Sequence, residues 1–237
     1  MNHEYSKAII EIAIKNNCGT INIEDLSGFG KDDKNSFVLR RKIYKKTIIM
    51  KIASFDIGEK NFAYCIVQFE GNLLKVLKIS HYNVLSEIKN KQTILNSCLN
   101  ISNILENDFD IDSCDTILIE QQLGVNSRAQ KISQHIWSYF HTKYILIKKK
   151  LINLEFIHSS LKTQIFLGKN KLKSDERKKW SVEMIVSKKV LSLSKNFGIE
   201  IDIPENIQEI ILKMNKRDDV CDTILQAIAY CKKILLK

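Results

Sequence analysis

The chain has 237 residues, 44% of them hydrophobic and 27% charged, with eight glycines and a single proline, Pro204. This length and balance suit a core that needs no disulfide or metal staple, and the few prolines and glycines argue against long disordered linkers. Lys and Arg outnumber Asp and Glu by 37 to 27, a formal charge of +10, which favours a polyanionic partner, nucleic acid first, although an Ile-, Asn- and Lys-rich composition explains part of the excess.

Residues 5–15 read as a short amphipathic helix, TINI at 20–23 as a short strand, and RRKIYKK at 40–46 as a basic connection. Residues 1–46 are therefore expected to form an N-terminal appendage, and 47–237 the main domain. IIMKIASFDIG is a strongly apolar strand ending in an Asp; NFAYCIVQFEG and NLLKVLKISHYNV follow as two strands joined by a Glu70-Gly71-Asn72 turn. The apolar spacing of Ile88, Ile94, Leu95, Leu99, Ile101 and Leu105 predicts a helix over 86–107. DTILIEQQ at 115–122 reads as a buried strand ending in a Glu.

A long helix is expected over 126–149, with Ala129, Ile132, Ile136, Trp137, Phe140 and Tyr144 on one side. LEFIHSS at 154–160 is the fifth strand, followed by a basic loop. A helix over 174–195 follows, with Ser174 as N-cap and Arg177 at the third position, an incomplete capping box. The last helix spans about Arg217 to Leu236. Three strands, then alternating helices and strands, predict an α/β fold, a mixed sheet flanked by helices on both faces.

Of the six cysteines, none forms a C-x-x-C pair and no histidine stands at zinc spacing. Cys65, Cys221 and Cys231 lie in apolar patterns and are expected as buried thiols of a reducing, intracellular compartment. No run reaches the roughly 18 apolar residues of a membrane span and no signal-peptide pattern opens the chain, so no membrane partner is expected.

Four carboxylates stand where apolar neighbours should bury them: Asp56 and Glu120 at strand ends, Asp219 and Asp222 three apart at the start of the last helix. Singly, each has an ordinary explanation, such as a helix dipole or a turn. As a set they need cations, because clustered buried carboxylates repel one another. Hard oxygen ligands suit two Mg²⁺ ions, with Mn²⁺ as a substitute, spaced about 3.5–4 Å apart to clamp a phosphodiester.

The segments ASFDIGEKNFAYCIV, TILIEQQ and KRDDVCDTILQAIAYC resemble the three acidic motifs of the RuvC-like Holliday junction resolvases, above all the poxvirus branch, over residues 48–237. The resemblance implies an RNase H-like fold and a metal-dependent endonuclease that nicks four-way DNA junctions in pairs, with 5′-phosphate and 3′-hydroxyl products. It implies that Asp56, Glu120, Asp219 and Asp222 bind metal, with Asp218 as the second choice to Asp219. It also implies a catalytic lysine, for which Lys162 fits best and Lys178 or Lys179 is the alternative. Asn126, Ser127 and Arg128, with Lys169, Lys171, Lys178 and Lys179, are the expected DNA contacts.

A two-fold homodimer would match the junction's symmetry, with the aromatic side of the 126–149 helix as its surface. A poxvirus-like origin would imply cytoplasmic sites of viral replication, with a mitochondrial or nuclear setting as the alternative. The chain departs from that family in its first 46 residues. There AIIEIAIKNNCGTINIEDLSGF resembles a RuvC segment of TnpB-type RNA-guided nucleases, in which Glu24 would bind metal. Glu24 precedes Asp56, the wrong order, so the segment is read as non-catalytic. A broader structure-selective nuclease, an RNase H, or a non-catalytic DNA-binding protein are the other functions compatible with this composition.

Overall fold

The computed structural model describes residues 49–85, 93–122, 124–168, 172–192 and 198–235. The expected appendage at 1–46, with Glu24, and the lysines Lys169 and Lys171 lie outside the described residues.

A six-stranded mixed sheet forms the centre, in the order β5-β4-β1-β2-β3-β6. β1 (Ile49–Ile57), β2 (Asn61–Glu70) and β3 (Leu73–Asn83) make an antiparallel meander. Gly71 takes φ +63° at the tip of the β2–β3 hairpin, a conformation that glycine adopts without strain. β4 (Thr116–Gln121) and β5 (Asn153–His158) continue the sheet parallel to β1. β6 (Glu200–Asp202), which hydropathy did not reveal, adds parallel to the other edge at Leu73–Lys75.

Strand alternation divides the apolar side chains between two cores. Ala53, Phe55, Ile57, Phe62 and Tyr64 face α1 (Thr93–Asn107), α2 (Phe109–Asp112) and α3 (Ser127–Phe140). Phe55 packs against Phe62, Tyr64 and Phe140 at centroid distances of 5.7, 5.4 and 5.5 Å, contacts worth roughly 0.5–1.5 kcal/mol each beyond burial. α3 runs on as a π-helical segment, His141–Ile147. On its aromatic side Phe140 and Tyr144 are buried in this core and Trp137 is half-buried against it. In α1, Ile101 and Leu105 are buried, whereas Leu95 and Leu99 are exposed.

The other face carries α4 (Leu161–Leu167), α5 (Ser174–Val186), α6 (Glu205–Lys213) and α7 (Arg217–Leu235). α7 crosses β1, β2 and β3 and buries an almost unbroken run from Val220 to Cys231. Each large apolar side chain there contributes roughly 1.5–3 kcal/mol. Cys65, Cys221 and Cys231 are buried free thiols in this layer.

Three boundaries differ from the sequence expectation. The fifth strand stops at His158, and the residues expected as a loop form α4. α5 ends at Val186, where the chain turns through Lys188 at φ +55°. Its N-cap is Lys173, whose backbone N–H donates to Glu176 at 2.8 Å; a lysine side chain has no acceptor, so the box is one-sided.

Candidate active site and metal centre

Asp56 and Glu120 are the penultimate residues of β1 and β4. The parallel ladder pairs Phe55 with Ile119, so the next residue of each strand lies beside the other at the carboxyl end of the sheet. That edge is where open α/β sheets gather ligands. Phe55 and Ile119 point into the α1–α3 core, so alternation turns both carboxylates toward α7.

α7 supplies the third carboxylate, Asp222, whose Oδ1 accepts a hydrogen bond from Ser181 Oγ of α5. Lys162 comes from α4. Because that helix starts two residues after β5, its second residue reaches inward instead of lying on a strand end. Its ammonium is 2.7 Å from Asp222 Oδ2 and 3.7 Å from Glu120 Oε1, with 7% of the side chain exposed. The structure thus brings Asp56, Glu120, Lys162 and Asp222 into one centre.

Two groups in this centre, Asp56 and Lys162, are shifted from their ordinary pKa values. Burial, and then the neighbouring Glu120 charge, hold the Asp56 carboxyl well above the usual range, against a smaller opposing pull from Lys162. Asp56 also shares a hydrogen bond with Glu120. Burial alone would lower the Lys162 pKa, but Asp222, Glu120 and Asp56 together hold it above its ordinary value. One ammonium faces three carboxyl groups, so negative charge is in excess when all are ionised. Hard oxygens with uncompensated charge are the donor set that Mg²⁺ or Mn²⁺ prefers, and on that chemistry the residues fit a divalent cation. Among the described residues, no three His, Cys, Asp or Glu side chains are placed so that they could hold a metal ion as they stand; the Lys162 ammonium lies among the carboxylates instead.

Asp219, one turn before Asp222, makes a different contact: its Oδ2 is 3.3 Å from His81 Nε2 of β3. Burial, and then the adjacent Asp218, raise its pKa, while His81 opposes the rise. Asp218 itself meets Lys178 at 3.5 Å. Sequence reasoning missed both His81 and Ser181. A register shift in the β2–β3 pairing hides the face on which the histidine lies; nothing in the pattern around Ser181 distinguishes it from any other small residue on a helix.

Of the expected DNA contacts, Asn126, Ser127 and Arg128 lie at the start of α3, and Lys178 and Lys179 on α5. Asn126 caps α3, its Oδ1 accepting the Ala129 N–H at 3.2 Å. Asn126, Ser127 and Arg128 are exposed, and Arg128 pairs with Glu59 of the β1–β2 turn at 2.8 Å. That turn is tight: Gly58 N–H donates to Asn61 O at 2.8 Å, and a Cβ on Gly58 would come within 3.1 Å of the same oxygen. Lys178 and Lys179 are exposed on α5.

Residues 50–234 match the family described as Poxvirus A22 protein. Uncharacterized protein 170L of Invertebrate iridescent virus 6 is 29% identical over 224 residues, covering 76% of this chain and 87% of that protein. Fowlpox virus resolvase, solved with Holliday junction DNA, is similar at 20% identity and a TM-score of 0.53, over 79% of this chain and 100% of that one. The yeast mitochondrial Holliday junction resolvase Ydc2 is similar at 16% identity and a TM-score of 0.55, over 77% of this chain and 79% of that one. These structural likenesses agree with the sheet order in showing the RuvC-type, RNase H-like fold. With its match extending from β1 through nearly all of α7, the chain belongs to the Poxvirus A22 protein family.

Proposed function

We propose that this protein is a metal-dependent endonuclease that resolves four-way DNA junctions. The observation that carries this reading is the convergence of Asp56, Glu120 and Asp222 around the buried ammonium of Lys162 at the carboxyl end of β1 and β4. Family membership supports it, as does a fold shared with two proteins described as Holliday junction resolvases.

Asp56, Glu120 and Asp222, with Asp219 from the preceding turn, are the residues that would hold two Mg²⁺ or Mn²⁺ ions. Bound divalent metal would supply Lewis-acid stabilisation of a phosphoryl oxygen and would lower the pKa of a water so that it can lose its proton near neutral pH. The protein's own groups do the remaining work. Ser181 fixes Asp222 through Oδ1, and β1 and β4 fix Asp56 and Glu120 by register. Lys162 carries a positive charge, favoured by the carboxylates around it, that can neutralise the scissile phosphate. The exposed start of α3, and Lys178 and Lys179 on α5, hold strand phosphates on either side of the centre. A two-fold homodimer would present two such centres to the two strands of a junction.

Cleavage of a synthetic four-way junction, beside linear duplex and an RNA–DNA hybrid, with Mg²⁺ or EDTA, tests the proposal. Paired symmetric nicks in the junction alone, lost in EDTA, are expected. Equal cutting of duplex or hybrid would replace the assignment with a broader nuclease, and intact junction in Mg²⁺ would end it.

A further inference from the structure

His81, outside the expected acidic set, touches it at Asp219. β2 pairs Ala63 with Asp56 on one side and with His81 of β3 on the other. Asp56, Ala63 and His81 therefore form one row across three strands, on the face that α7 covers. The small side chain of Ala63, fully buried, lets the first turns of α7 lie close over this row. Asp222 comes down toward Asp56 and Glu120, and Asp219 comes down on His81. The His81 and Asp219 side chains retain only 16% and 20% exposure.

An ionised carboxylate can only accept, so the hydrogen on His81 Nε2 donates to Asp219 Oδ2. A carboxylate tethered through one oxygen by a residue of the sheet is held in one rotamer, with the second oxygen left to offer. Metal ligands are commonly oriented in this way by a hydrogen-bonded neighbour, whose loss typically costs 10- to 100-fold in affinity. The same ring lines a cleft of about 510 Å³ together with Lys60 and Lys216, so it also borders a basic surface beside the acidic centre.

We propose that His81 is a positioning residue for the metal centre, fixing Asp219 through the hydrogen bond from Nε2. This rests on the metal-binding reading above. It assigns His81 no contact with metal or with the reacting phosphate.

Mn²⁺ binding to the full chain by isothermal titration, without DNA, tests it beside the urea midpoint of each variant in EDTA. His81→Ala is expected to bind Mn²⁺ at least tenfold more weakly with the midpoint unchanged. His81→Gln, whose amide nitrogen reaches as far as Nε2, is expected to recover most of the affinity. His81→Asn, which reaches only as far as Nδ1, is expected to behave like alanine. Wild-type affinity in His81→Ala overturns the proposal, and so does a loss shared equally by Ala and Gln or one that follows a fall in the midpoint. Wild-type protein that takes up no Mn²⁺ overturns the metal reading and this proposal together; normal uptake by both wild type and His81→Ala overturns this proposal alone.

Discussion

The ammonium of Lys162 lies 2.7 Å from Oδ2 of Asp222, at the floor of the carboxylate centre. It is the cation the chain provides for itself, and its removal leaves buried carboxylates facing one another. Breaking a buried pair costs up to about 3–5 kcal/mol, and less where one partner keeps some solvent, as Asp222 does at 22% exposure. Lys162→Met is therefore expected to lower stability in EDTA and to regain much of it in Mg²⁺ or Mn²⁺, with cleavage lost in both. Urea unfolding with and without the ion reads this out. A variant as stable as wild type in EDTA would show that Lys162 does not balance the centre.

Asp222 accepts from Ser181 at one oxygen and from Lys162 at the other. Asp222→Asn keeps the oxygen that Ser181 uses and removes the charge a metal needs. Fold and junction binding should survive, because the proposed strand contacts lie on α3 and α5 and do not include Asp222. Cleavage should fall by at least about a hundredfold, the scale of losing one electrostatic stabiliser of the transition state. Gel-shift and cleavage assays on one junction separate the two effects. Wild-type cleavage by Asp222→Asn would remove this residue from the centre.

Asp56, Glu120 and Asp222 were legible in the sequence because each interrupts an apolar run at the end of a strand or the start of a helix. His81 was not, and the reason is a single residue. From the Gly71-Asn72 turn, Glu70 pairs with Leu73 and Val67 with Val76; the register then shifts, and Ile66 pairs with Lys78. Without the extra residue, Ala63 would face Ser80 and His81 would point into the α1–α3 core. A bulge that turns every later side chain to the other face has no local hydropathy signature. Lys162 was legible as a residue but not in its setting, since α4 is only seven residues long and follows β5 almost at once. β6, three residues paired at a sheet edge, is too short to show period-two alternation.

Acid should loosen the α2–α3 side before it reaches the sheet. Asp112 accepts from Tyr144 and is 2.9 Å from Lys148; burial pulls its pKa up, but Tyr144, Lys148 and Lys143 together hold it below the ordinary value. Glu106 is lowered by Tyr139 and then Lys143. Groups depressed in the folded state stabilise it fully above their unfolded values near pH 4, and that contribution is lost as pH falls through the folded values. Asp112→Asn should therefore cost about 1 kcal/mol or less at pH 7, given the solvent screening of this pair, and less near pH 2. Urea midpoints at both pH values check this. An equal loss at both would mean that Asp112 acts through packing and not through charge.

Salt should weaken junction binding steeply, and Lys178 and Lys179 should not contribute equally. Each lysine that neutralises a duplex phosphate adds about 0.9 to the slope of log affinity against log salt. Lys178 lies 3.5 Å from Asp218, so part of its field is already cancelled before DNA arrives. Lys179, beside it on α5, is expected to carry the larger share. Lys179→Ala should reduce the slope by close to one phosphate and weaken binding alike on different junction sequences, because backbone contacts carry no base information. Lys178→Ala should reduce it by less. Fluorescence anisotropy with a labelled junction over a range of KCl measures both slopes, and equal slopes in wild type and Lys179→Ala would place the DNA away from this face of α5.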